Sequence, residues 1–201
     1  MSETQMIQRR QIIIALASTC AMPTAALAVP THYTLVPSGS RVGFQFNLNG
    51  IAQTGTIPVE QAKITIDPQQ LVASRVEVTL NVTKARTGLI FITQVMTGPE
   101  VLDATRFPTI RFVSRHVILG ATGRLSGGAK IIGDLTLRGV TKPVTLQAAI
   151  YRSRGTAAND LSQLDVTLNG RISRAAFGAD GFSDLVSDTV ALNIQAQIRA
   201  S

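Results

Sequence analysis

The sequence predicts an all-β domain, an antiparallel sheet closed or nearly closed on itself, with one short helix. Three observations carry this. Residues 133–150 read as a hairpin with one apolar face, the same two-faced alternation recurs almost to the C-terminus, and only residues 86–103 break it. Successive side chains of a strand point to opposite faces, so a period of two marks a half-buried strand. Many such strands with no intervening helices argue a sheet wrapped around one enclosed apolar space.

The chain opens on a segment to be set apart from the fold. Arg9-Arg10 form a basic start, residues 12–22 a short apolar run, and Ala26-Leu27-Ala28 a small-x-small site. That is the build of a cleaved signal peptide over 1–28, with the mature chain, one domain over 29–201, beginning at Val29. The apolar run is broken by Pro23 and falls short of the ~20 residues that span a bilayer. The Arg pair leaves Sec and twin-arginine export both open. Cys20 invites a lipoprotein reading, but Thr19 stands where a small Gly, Ala or Ser is expected. Export would place the protein in the periplasm.

Losing Arg9, Arg10 and Glu3 takes Lys plus Arg from 19 to 17, Asp plus Glu from 12 to 11, and the net charge from +7 to +6. It also removes the only cysteine, leaving no disulfide, thiolate ligand or thiol nucleophile. The positive charge is spread from Arg41 to Arg199, with no dense run and no Trp. A nucleic-acid surface would cluster its charge and interleave aromatics, so no nucleic-acid partner is expected. A basic exterior would still favour transient contact with an anionic membrane surface.

The strands follow in order. Short segments near 32–36 and 63–66 flank Val42, Phe44, Phe46 and Leu48, which alternate with Arg41, Gly43, Gln45 and Asn47. Val76, Val78, Leu80 and Val82 alternate with Glu77, Thr79 and Asn81. Ile110 and Phe112 alternate with Thr109 and Arg111. In the hairpin, Leu135 and Leu137 answer Val144, Leu146, Ala148 and Ile150. Gly139 supplies the positive φ of a tight turn, and Lys142-Pro143 keeps the second arm extended. Leu164, Val166, Leu168 and Ile172 make the next strand, and Val190, Leu192, Ile194, Ala196 and Ile198 the last. Turn residues separate these runs at Pro37-Ser38-Gly39, Asp67-Pro68, Gly127-Gly128 and 153–163. In 86–103, Leu89, Ile92, Val95 and Met96 fit helical spacing, with Thr87 as N-cap and Gly98-Pro99 as stop. Such a helix either caps the core or lids a ligand entrance.

Several of these pieces together resemble the YceI-like family of exported lipid-binding proteins. They are Tyr33-Thr34-Leu35-Val36-Pro37 with Ser40, Val42 and Phe44; Leu102-Asp103 with Phe107-Pro108-Thr109-Ile110-Arg111-Phe112-Val113-Ser114; the hairpin from Gly133-Asp134-Leu135 to Lys142-Pro143-Val144; Arg174-Ala175-Ala176-Phe177-Gly178; and Ser187-Asp188-Thr189-Val190. The resemblance spans about 33–200. It implies an eight-stranded antiparallel lipocalin-like barrel with a tunnel for a long isoprenoid lipid, such as a polyprenyl phosphate or a quinone-like molecule. The chain departs from the family at Asn47-Leu48-Asn49-Gly50 and at 93–98, where many members carry His or Asp. Headgroup contacts made there in relatives do not carry over.

An eight-stranded barrel is either filled by its side chains or holds one small ligand. The lining expected of a tunnel is Phe44, Phe46, Leu48, Val78, Leu80, Phe112, Leu135, Leu137, Leu146, Ala148, Leu168, Phe177, Leu192 and Ile194. The alternative is a packed barrel with no ligand. Three residues are headgroup candidates. His116 follows the inward register of Ile110, Phe112 and Ser114, the alternative being a hydrogen-bonded structural histidine. Arg171 and Arg174 lie where the penultimate strand meets a loop, the alternative being ion pairs with Asp180 or Asp184.

No catalytic residues, metal site or cofactor are expected. His32 and His116 are isolated, the spacing of Asp180, Asp184 and Asp188 matches no calcium loop, and no nucleophile elbow or phosphate loop occurs. The expectation is therefore a monomeric or homodimeric carrier. One rival is a lipocalin-like barrel enzyme acting on a bound lipid, disfavoured by the scarcity of His, Cys and paired carboxylates. The other is an outer-membrane barrel, disfavoured by nine aromatics in all, too few for two aromatic girdles.

Overall fold

The alternating segments become ten antiparallel strands: β1 (Thr31–Leu48), β2 (Ile51–Thr56), β3 (Val59–Ile66), β4 (Arg75–Asn81), β5 (Arg86–Thr87), β6 (Thr109–Leu119), β7 (Ala129–Leu137), β8 (Val140–Arg152), β9 (Gln163–Ser173) and β10 (Thr189–Ala200). Among the described residues one α-helix, α1 (Ile90–Thr97), lies between β5 and β6. This computed structural model describes residues 30–67, 70–120, 127–153, 155–157 and 160–201. The expected signal segment over 1–28 and the cleavage point before Val29 lie outside the described residues.

Eight strands close a barrel in the order β1-β10-β9-β8-β7-β6-β4-β3, and β3 returns to β1. Closure is divided along β1. Its start, Thr31 to Tyr33, pairs with Ile64 to Ile66 of β3, and its end, Gly43 to Leu48, pairs with β2. β2 in turn carries β5 on its outer edge. Two tight turns set these registers. Asn49 and Gly50 (φ 50° and 79°) join β1 to β2, and Arg138 and Gly139 (φ 51° and 77°) join β7 to β8. Positive φ at both central residues is the turn whose twist suits a two-residue hairpin.

Two irregularities depart from the sequence expectation. The turn expected at Pro37-Ser38-Gly39 is a bulge inside one long strand. The register with β10 slips between Val36 and Arg41. Ser40 bridges the slip: its hydroxyl donates to the Val36 carbonyl (2.7 Å) and accepts from the Gln197 amide (3.0 Å), so the backbone groups there stay satisfied. The second bulge lies in β6, between Ser114, opposite Gly133, and His116, opposite Ile132. One extra residue reverses the alternation beyond it, so Val117 rather than His116 points inward.

The helix also starts later than expected. Leu89, not Thr87, holds the N-cap position. The Thr87 hydroxyl donates to the Leu89 carbonyl (2.8 Å) and shares a hydrogen bond with the Thr93 hydroxyl (2.9 Å), bracing the approach to α1. Ile92 and Met96 turn inward from α1, whereas Ile90, Phe91 and Val95 stay exposed.

Buried side chains form three separate clusters. One, at the α1 end, gathers Ile57, Val82, Met96, Ile110, Leu135, Leu137 and Phe177. A second, at the opposite end, holds Tyr33, Ile64, Ile66, Leu164 and Ile198. A third lies on the wall made by Val117, Ala129, Ile131 and Ala148. Phe112 packs against the first and the third, and space remains between their inward faces.

Candidate ligand cavity

That space is a cavity of about 420 Å³ running along the barrel. At the far end its wall includes Ile66, Leu71 and Ile198; at the α1 end it includes Phe91, Ile92, Val95 and Met96, with Phe182, Leu185 and Val186 from the β9–β10 connection. Inward residues such as Phe44, Leu192 and Ile194 are only half-buried, because they face the cavity rather than a neighbour.

Of the residues expected to line a tunnel, Phe44, Phe46 and Leu48 (β1), Val78 and Leu80 (β4), Phe112 (β6), Leu135 and Leu137 (β7), Leu146 (β8), Leu168 (β9), and Leu192 and Ile194 (β10) all border the cavity. Two do not. Ala148 sits beside Leu168 and Ala129 and is buried within the wall cluster, its methyl too short to reach the lumen. Phe177 belongs to a 3₁₀ turn, Ala175–Phe177, and is buried among Ala179 and the α1-end core.

The lumen stays open partly because bulky side chains lie flat on glycines. Phe44 stands opposite Gly55, and its ring occupies the space a Gly55 Cβ would need. A Cβ at Gly133 would come within 2.6 Å of the Phe112 ring, and one at Gly170 within 2.6 Å of a Leu146 methyl. Real Cβ atoms do not approach so closely, so each glycine keeps its neighbour against the wall. Phe44 and Phe46 add a stacked pair, their ring centroids 6.2 Å apart.

The headgroup candidates separate. His116 is exposed on the outer face, displaced by the β6 bulge. Arg171 also faces outward: it lies in one row with Ala191 and Gln45, while the inward row beside it is Gly170, Leu192 and Phe44. Arg174 alone borders the lumen, and among the described residues it is the only charged one that does. It is 7 % exposed and forms no ion pair with Asp180 or Asp184. Its guanidinium donates to the carbonyls of Ser187 (3.1 Å), Ala179 (2.5 Å), Gly181 (2.7 Å) and Val186 (2.9 Å). A planar fork with five donors suits this task. It pins the β9–β10 connection across the barrel end. Asp188 supports it from the other side, accepting from the Ala175 amide (2.8 Å). Hydrogen bonds from the Ser173 hydroxyl and the Ala175 amide, with the Arg174 charge, hold the Asp188 carboxyl below its ordinary range.

Lumen-lining residues at the α1 end, Phe91, Phe182 and Leu185, are exposed to solvent, whereas Ile66 and Ile198 at the opposite end are buried, so the α1 end is the mouth. The β9–β10 connection meets the β1–β2 hairpin through Asn49 N–H to the Leu185 carbonyl (2.8 Å) and Ser187 N–H to the Asn47 carbonyl (3.0 Å), and meets the segment after α1 through Gly181 N–H to the Glu100 carbonyl (3.1 Å). Reading a period of two could not find Phe91, Phe182 or Leu185, which lie on a helix and a loop. The signal available was a pair of apolar residues on a Gly- and Asp-rich connection. Among the described residues no three His, Cys, Asp or Glu side chains gather as metal ligands.

The chain is similar to Protein YceI of Shigella flexneri, 27% identical over 175 residues that cover 86% of this chain and 83% of that protein. It is 28% identical to a UPF0312 protein of Yersinia enterocolitica over 132 residues, 64% of this chain and 66% of the other. Its fold matches that of Burkholderia cenocepacia BcnA, with a TM-score of 0.69 at 18% identity, over 82% of this chain and 99% of that one. It also matches a polyisoprenoid binding domain from Saccharophagus degradans, with a TM-score of 0.62 at 13% identity, over 85% and 99%. The family model described as the YceI-like domain matches residues 33–198, nearly the whole barrel, and the chain belongs to that family.

Proposed function

We propose that this protein is an exported, periplasmic carrier that binds an isoprenoid lipid in its barrel lumen. The observation that carries this is the apolar cavity of about 420 Å³. Its wall is apolar almost throughout, so water inside it finds few hydrogen-bond partners. At a water-like ~30 Å³ per methylene-sized group, the space takes about fourteen such groups, each worth ~0.8 kcal/mol on leaving water. A long apolar chain fits this better than a compact polar ligand. The structural neighbour named as polyisoprenoid-binding supports the ligand class. The signal-like segment over 1–28 supports export. The polar end of the lipid is placed at the mouth, where the lining residues Phe91, Phe182 and Leu185 meet solvent.

The test is loading. Delipidated protein is offered polyprenyl phosphates, quinones or a saturated fatty acid, and displacement of an apolar fluorescent probe is followed. Saturable displacement by the two isoprenoids is expected; no displacement by either overturns the proposal. N-terminal sequencing of material released by osmotic shock should read from Val29.

A further inference from the structure

The mouth is ringed by apolar side chains turned to solvent. Ile90 of α1 is 81 % exposed, Phe91 65 %, and Ile51, Leu89, Phe182 and Leu185 between 42 % and 66 %. Single exposed apolar residues are ordinary, but a contiguous patch is not. Backbone contacts join the β1–β2 hairpin and the β9–β10 connection, and Phe91 of α1 meets that part through the lumen wall it shares with Phe182 and Leu185. Ile51 pairs with Leu48, Leu48 bridges to Val186, and Leu185 is bonded to Asn49. Phe91, Val95, Phe182 and Leu185 also border the lumen. The outer patch and the inner wall are therefore one continuous apolar surface.

Cations stand behind this ring. Arg171 shares its outward row with Gln45, three residues back from Leu48 at the hairpin tip, or about 10 Å at 3.4 Å per residue. Arg86 shares the outward row of Gly43 and Thr56, two residues further back. Both are exposed, and among the described residues neither is held in an ion pair. Asp180 and Asp184 are also exposed on the rim connection, so apolar contact rather than net charge must lead the association.

We infer that the rim docks on a phospholipid bilayer, with the apolar ring in the acyl boundary, Arg171 at phosphate depth and Arg86 behind it on the water side. Interfacial elements bury their apolar face ~5–10 Å into that boundary, which matches the setback of Arg171. The inference rests on the carrier reading, because a lipid crossing such a junction passes from bilayer to lumen without meeting water.

The test uses the mature protein and two vesicle types, phosphatidylcholine alone and with phosphatidylglycerol. The variant Ile51→Ser/Leu89→Ser/Ile90→Ser alters rim residues that do not line the lumen. Wild type should co-sediment with both vesicles, and the variant should bind at least tenfold more weakly. Loading of the variant from detergent dispersion should be unchanged, with circular dichroism confirming its fold. Wild type that ignores both vesicles, or a variant that binds them equally, overturns the inference. So does light scattering that shows a dimer lost in the variant, since the ring would then cover a second copy. Failure of loading in both proteins would instead count against the carrier reading.

Discussion

Leu168→Trp asks whether the interior is space or packing. Leu168 lies on β9, beside Ile194 of β10 and Ala148 of β8, and borders the lumen. In a filled core, an oversized side chain forces its neighbours off their rotamers and costs about 1–3 kcal/mol. Here the added ring has about 420 Å³ to enter. Burying some 50–80 Å² more apolar surface at ~25 cal/mol per Å² gives about 1–2 kcal/mol in favour of the lipid-free barrel, and about 1–3 kcal/mol for an indole N–H left without a partner offsets it. For a domain of this size each kcal/mol moves the melting temperature by about 2–4 °C. The lipid-free variant should therefore melt within a few degrees of lipid-free wild type, while its bound lipid falls sharply. Melting followed by circular dichroism, with lipid extracted from the same preparations, decides it. A melting temperature several degrees lower, with lipid content unchanged, would refute the reasoning and favour a packed barrel.

Three further outcomes follow from named contacts. Leu192→Asp should cost several kcal/mol at neutral pH by placing a charge on the apolar wall, and should recover part of that loss in acid as the carboxyl is protonated; Asn193→Asp, on the outer face, should stay within about 0.5 kcal/mol of wild type in denaturant titrations. Arg174→Leu should lose about 2–4 kcal/mol by stranding carbonyls of the β9–β10 connection, with Arg174→Lys rescuing little; stopped-flow lipid release should also quicken as the mouth loosens. Because the folded state holds the Asp188 carboxyl low, its contribution is fully present above the ordinary carboxylate range, near pH 4, and fades as pH falls through the lower folded value; Asp188→Asn should lower the melting temperature at neutral pH and flatten that acid limb, the two proteins converging in acid.

The barrel was legible because its walls keep a strict period of two. Leu135, Leu137 and Leu146, or Leu192 and Ile194, point where alternation puts them. What alternation cannot carry is a bulge, which adds an odd number of residues to one strand and reverses everything beyond it. The extra residue in β6 moved His116 from the expected interior to the surface. The slip between Val36 and Arg41 made one strand of what read as two around a turn. Asn49-Gly50 was a hairpin signal that could have been read, and would have exposed β2. Side-chain reach is also invisible to a pattern: Ala148 has the inward register yet remains in the wall, so a bulky substitution there probes packing rather than the lumen. The mouth was the least legible part, because the residues bonded to Arg174 are held through carbonyls, and a carbonyl leaves no mark in a sequence.

The most direct test of a lipid-filled barrel is native mass spectrometry of the protein gently purified from its own cells. The account predicts a folded monomer or dimer in which each chain carries one added mass matching a prenyl lipid, lost on activation in the gas phase. A folded wild-type protein with no added mass, which also takes none up from polyprenyl phosphates or quinones, would contradict it.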